Sequence, residues 1–153
     1  MSQPTSSSAP SRRRQTALAV IDAYNSWTME KIMAVRSDDC ITQVLPKSLG
    51  RPAMDNAAYE VFFAGMLPHF RDFKVEVNEV FEDDRANNVV LWARSTATTD
   101  IGPYANEYML IFHFNEAGDK VTRFFEWVDS ANTQAFFPKL REHVARKQAE
   151  GDV

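Results

Sequence analysis

Apolar side chains recur at helical spacing in some stretches of this chain and alternate with polar ones in others, and the two periods divide it into elements. Leu18, Ile21 and Tyr24, with Val20 and Trp27 on the adjoining edge, predict a helix from residue 15. Thr28 is placed to cap a short second helix whose Met29, Ile32 and Met33 point inward; Ser37-Asp38-Asp39 ends it before a brief strand over 40–45. Asp55 or Asn56 can cap a third helix in which Tyr59, Phe62, Phe63, Met66 and Leu67 fill the i, i+3, i+4, i+7, i+8 template, and Pro68 stops it. Period-two alternation then predicts strands over 73–82, 88–99, 106–115 and 120–129, joined by polar turns at 83–87 and 116–119. A last helix over 130–147 carries Phe136, Phe137, Leu140 and Val144 on one face.

Helices, a short strand, a helix, four long strands and a helix make the pattern of an α+β fold. The expected form is a cone-shaped, curved antiparallel sheet packed on helices. With 153 residues the chain is read as a single domain over 15–147. The Ser- and Pro-rich stretch 1–14, ending in Arg12-Arg13-Arg14, and residues 148–153 are expected to be disordered tails.

Composition and charge then act mainly by exclusion. A net charge of -4 with no basic stripe argues against nucleic acid. Cys40 is the only cysteine, and His69, His113 and His143 are far apart, so no disulfide and no dedicated metal are expected. No Gly-rich phosphate loop and no Gly-x-Ser-x-Gly elbow occur, which leaves a cofactor-free protein as the expectation. A cytoplasmic location without membrane association fits the same composition.

What chemistry the chain holds is concentrated in 101–114 and 124–130, where amide, hydroxyl and carboxylate groups stand among large aromatics. An apolar pocket with a few polar groups has that composition. Asn106 shares strand parity with Tyr108, Leu110, Phe112 and Phe114, so Asn106, Tyr108 and Phe112 are expected to face the helices and a substrate. Tyr24 and Trp27 lie at the inner edge of the first helix, as substrate contacts or as ordinary core aromatics. Gly102-Pro103-Tyr104 reads as a loop at the cavity rim. His69 leaves the third helix, where it either reaches the pocket mouth or is a solvated loop residue. Glu60 falls on the border of the buried helical stripe and either looks into the cavity or stays in solvent. Asp129 can cap the last helix. Met109, Ile111 and His113 take the opposite parity, toward solvent or a second subunit.

Tyr24-Asn25-Ser26-Trp27, Gly102-Pro103-Tyr104, Asn106-Glu107-Tyr108 and the ending 120–129 together resemble the SnoaL-like branch of the nuclear transport factor two-like superfamily. Within it, the chain is similar over about 15–140 to fungal isomerases and cyclases of polyketide and meroterpenoid biosynthesis. The resemblance implies that Asp129 is a general base and Glu60 a second pocket carboxylate, and that a hydrophobic small molecule is isomerised or cyclised through an enolate. It implies a homodimer through the outer sheet face as well. Scytalone dehydratases of the superfamily carry Tyr-Asp where this chain has Tyr24-Asn25, which argues against a dehydratase of that type. A hydrolase, or a non-catalytic binding module on the same fold, is the other reading. Convergence of Asp129, Glu60 and Asn106 on one apolar void is the condition that the isomerase reading sets.

Overall fold

The computed structural model describes residues 9–151. Four helices and five strands follow one another as α1 (Arg12–Ser26), α2 (Met29–Ala34), β1 (Arg36–Leu45), α3 (Asn56–Met66), β2 (Phe70–Asp83), β3 (Asn88–Thr99), β4 (Gly102–Phe114), β5 (Val121–Val128) and α4 (Ser130–Gly151). The strands form one curved, open sheet in the order β1-β5-β4-β3-β2. Only the β1–β5 pairing is parallel; the other three are antiparallel. The expected α+β architecture is therefore present, with one parallel edge that alternation alone cannot reveal.

Alternation sets which face is buried. Along β3, Val89, Leu91, Ala93, Ser95, Ala97 and Thr99 are buried while the residues between them are partly or fully exposed. The same period buries Tyr104, Asn106, Tyr108, Leu110, Phe112 and Phe114 of β4. An irregularity in the β4–β5 register near Val121 resets the parity of β5, so that Phe124, Glu126 and Val128 share the inner face. α1 crosses that face with Ala17, Val20 and Ile21 in the main core, and α3 adds Tyr59 and Phe63 to a smaller aromatic cluster beside Ile32.

Several boundaries differ from the predicted ones. α1 starts at Arg12 because the Ser11 hydroxyl accepts from the Arg14 amide at 3.1 Å and Arg13 pairs with Glu82 at 2.9 Å. Residues 9–11 are accordingly placed as well, and residues 1–8 of the expected tail lie outside the described ones. At the other end α4 runs on to Gly151, past the predicted stop at 147, and residues 152–153 are again outside. β1 begins at Arg36, so Ser37-Asp38-Asp39 belongs to the strand. Gly102-Pro103-Tyr104 opens β4 and is no rim loop: the three residues pair with Thr99, Thr98 and Ala97, and Tyr104 is buried. Thr28 holds the N-cap position of α2 but its side chain makes no capping bond there. Among the described residues no helix is long and apolar enough to cross a membrane.

Candidate active site

Between the inner sheet face and α1, α3 and α4 lies a cavity of about 830 Å³, its open mouth included. Its lining is mostly aromatic and aliphatic. Trp27 forms one wall, stacked on Phe73 with centroids 4.3 Å apart and with its indole N–H donating to the Leu67 carbonyl at 3.0 Å. Phe63 meets both Trp27 and Tyr24 edge-on. Against this apolar lining, each polar group can be identified individually.

The carboxylate is Glu126. It stands opposite Val44 on β1 and Leu110 on β4, so aliphatic chains flank it across both neighbouring strands. No hydrogen bond or ion pair to its carboxyl group forms among the described residues. Burial of the charge raises its pKa from 4.5 to about 7, with Arg51, which lines the same cavity, pulling the other way. Glu126 is thus half ionised near neutrality, where a carboxyl group can both take and return a proton.

Four tyrosines supply hydroxyls. Tyr24 and Tyr59 hydrogen-bond each other through their hydroxyls. Asn106 donates to the Tyr104 hydroxyl at 3.0 Å and to the Thr133 hydroxyl at 3.0 Å; the Tyr104 hydroxyl meets that of Tyr108 at 3.0 Å, and Tyr108 meets Ser95 at 2.7 Å. Burial raises the pKa of all four phenols, foremost of Tyr24 and Tyr108. They are hydrogen-bond donors at neutral pH and not bases. Behind Tyr59, the buried Arg36 guanidinium lies over the ring at 4.3 Å and donates to the Asn56 side chain at 2.7 Å, which fixes that wall.

Asn106, Tyr24, Trp27 and Tyr108 therefore line the cavity. The amide of Asn106 is fully engaged, since its oxygen also accepts the Glu107 N–H at 3.0 Å, so it holds the tyrosines in place. Four other expectations need correction. Asp129 is exposed and caps α4, accepting the Asn132 amide at 3.2 Å; its odd parity relative to Glu126 turns it away from the void. Glu60 is exposed because one helical step separates it from Tyr59, which takes the inward position. His69 faces Asp100 at 2.7 Å in a surface cluster with Arg71, away from the cavity lining. Phe112 is fully buried, stacked on Phe124 at 4.7 Å, and is core. The convergence of Asp129, Glu60 and Asn106 is not found. Asn25 is also accounted for: its side chain clamps the backbone of Val75, accepting from N–H at 2.6 Å and donating to the carbonyl at 3.2 Å.

Replacement of Asp129 by Ala is accordingly expected to cost about 0.5–2 kcal/mol of stability in urea melts through the lost cap, with turnover per folded molecule unchanged. A fall in turnover of more than about tenfold would restore Asp129 to the site.

Comparison with known proteins agrees on the family and differs in the activities named. A family model described as SnoaL-like domain matches residues 17–124. Core atranone cluster protein 11 of Stachybotrys chlorohalonatus is 38% identical over 129 residues, 84% of this chain and 96% of that protein. A protein named monooxygenase nsrQ, from Aspergillus novofumigatus, is 34% identical over 82% of this chain and 83% of its own. Among solved structures, the BvnE pinacolase of Penicillium brevicompactum superposes with a TM-score of 0.81 at 26% identity, covering 90% of this chain and 98% of that one. AusH of Aspergillus nidulans gives 0.75 at 27% identity over 80% and 88%.

Proposed function

The chain belongs to the SnoaL-like family, and from that membership we propose that it is an enzyme of fungal specialised metabolism that isomerises or cyclises a polyketide or meroterpenoid by proton transfer at Glu126. The observation that carries this reading is one unpaired carboxyl group, with a pKa near 7, in an apolar cavity that tyrosine hydroxyls also line. In its ionised form Glu126 takes a proton from a carbon next to a substrate carbonyl. The electrons move onto the carbonyl oxygen, and a tyrosine hydroxyl donates to the oxyanion. Glu126, now protonated, returns the proton at another position, so the substrate is rearranged with no net change in atoms. The reading rests on Glu126 and no longer on Asp129 and Glu60. Its relatives support the setting: a cluster protein, and a pinacolase with the same fold.

The relatives named monooxygenases favour a second reading, in which the same deprotonation precedes reaction with oxygen. Incubation of the purified enzyme with oxygenated aromatic polyketides, with mass analysis of products and an oxygen electrode, separates the two. A product of unchanged mass formed without oxygen uptake supports isomerisation or cyclisation; a gain of oxygen atoms with uptake overturns it.

We further propose a homodimer through the outer sheet face. Trp92, Met109 and Trp127 are cross-strand neighbours there, and Ile111 and Phe125 pair one step along. Trp92 is 39% and Trp127 49% exposed, a contiguous apolar patch on a solvent face. In sedimentation experiments the wild type is expected as a dimer and Trp127→Glu as a monomer; a wild-type monomer at micromolar concentration would contradict this.

A further inference from the structure

Arg51 shares the cavity with Glu126, and proton transfer by Glu126 leaves it without a task. Its loop is fastened at several points. Gly50 turns the chain with φ +70°, in the region where a side chain would be strained. Gln43 donates its side-chain amide to the Arg51 carbonyl at 2.7 Å, and Thr42 and Met54 exchange two backbone hydrogen bonds of 2.8 Å. The side chain delivered in this way is half-buried, its guanidinium carbon 5.8 Å from the centre of the Phe137 ring. Among the described residues, its guanidinium makes no hydrogen bond or ion pair. Burial, and the positive charge of Arg141 on α4, lower its proton affinity against the opposing pull of Glu126. This guanidinium has lost part of its solvent, stands near a second cation and feels Glu126 only through space, so among the described residues no carboxylate pairs with it directly.

We infer that Arg51 is the anchor for an ionised oxygen acid on the substrate, a carboxylate or the enol of a β-dicarbonyl, and so selects acidic polyketides over neutral terpenoids. This rests on the proton-transfer reading of the cavity. The planar, forked guanidinium presents two parallel N–H groups, which match the paired oxygens of a carboxylate or of an enolised β-dicarbonyl. A neutral terpenoid would leave it unpaired in a partly dry site. The aromatic lining takes the carbon skeleton while the acid is held at the Arg51 side.

Two matched pairs of probes test the anchor by calorimetry: orsellinic acid with its methyl ester, and lawsone with its methyl ether. In the wild type at least one acid is expected to bind roughly 10- to 100-fold tighter than its methylated partner, the effect of a charge-assisted bidentate contact. Arg51→Met is expected to close that gap while leaving the methylated probes unaffected, and Arg51→Lys to retain part of it. A gap for the first pair assigns a carboxylate, and one for the second an enol. Equal binding of acid and methylated probe by the wild type, a gap that survives in Arg51→Met, or no binding of either acid at about 1 mM would overturn the anchor. Should Arg51→Met fail to fold, the wild-type gap and its narrowing with added salt decide the matter alone. If Glu126→Gln abolishes turnover while Arg51→Met keeps the gap, only the anchor falls. If the gap behaves as expected but Glu126→Gln stays active, only the proton-transfer reading falls.

Discussion

Glu126→Gln is expected to lower turnover by about 10²- to 10⁴-fold while the protein stays folded, because the amide fills the same space but cannot accept and return a proton. The wild-type rate is expected to rise with pH through an inflection near 7, where the carboxyl becomes ionised and able to act as base. The variant should lose that inflection along with the rate. Stability gives an independent readout that needs no substrate. The folded pKa of Glu126 lies above its ordinary 4.5, so the folded state holds this proton more tightly than the unfolded chain does. Its contribution is fully present below pH 4.5 and is lost as pH rises to about 7, a decline of about 3 kcal/mol in urea melts. Glu126→Gln should flatten that part of the profile. A variant that turns over at wild-type rate would remove Glu126 from the chemistry.

Phe112→Ala carries the largest expected effect on folding, about 3–5 kcal/mol. Phe112 is 0% exposed, stacks on Phe124 with planes 17° apart and reaches Phe114 at 6.5 Å. Its loss leaves a void under β4 that neighbours in a five-stranded sheet cannot readily fill. Most small domains hold only about 5–15 kcal/mol in total, so the urea midpoint should fall steeply. Turnover of the folded fraction should be nearly unchanged, since Phe112 does not line the main cavity. A small change in stability with a large rise in KM would return Phe112 to the substrate.

Much of the fold is legible in the sequence because each face of each element is either buried or exposed, and burial writes a period. α3 illustrates this: Tyr59 and Phe63 are buried where the helical template puts them, and Asp55 caps the helix by accepting the Ala58 amide at 2.9 Å. Asn106, Tyr108 and Tyr24 could be placed inward for the same reason. The carboxylate is less legible. Asp129 and Glu126 lie three residues apart, and whichever shares parity with Phe124 and Val128 faces the cavity; that parity singles out Glu126, and the alternation along β5 was the available signal. Arg51 carried no such signal. It stands outside any helix or strand, and its place in the cavity lining depends on the Thr42–Met54 bridge and the Gln43 hydrogen bond that fasten its loop. The early start of β1, with half-buried Ser37 and exposed Asp38 and Asp39, is equally unreadable, since an edge strand open to solvent need not alternate.

The titration of the glutamate side-chain carboxyl carbons by carbon NMR, compared between wild type and Glu126→Gln, addresses the site most directly, because it requires no known substrate. One resonance, missing in the variant, is expected to titrate near pH 7. Disappearance of a resonance that titrates at or below about pH 5, in the ordinary carboxylate range, would contradict an acid–base group of raised proton affinity at this position.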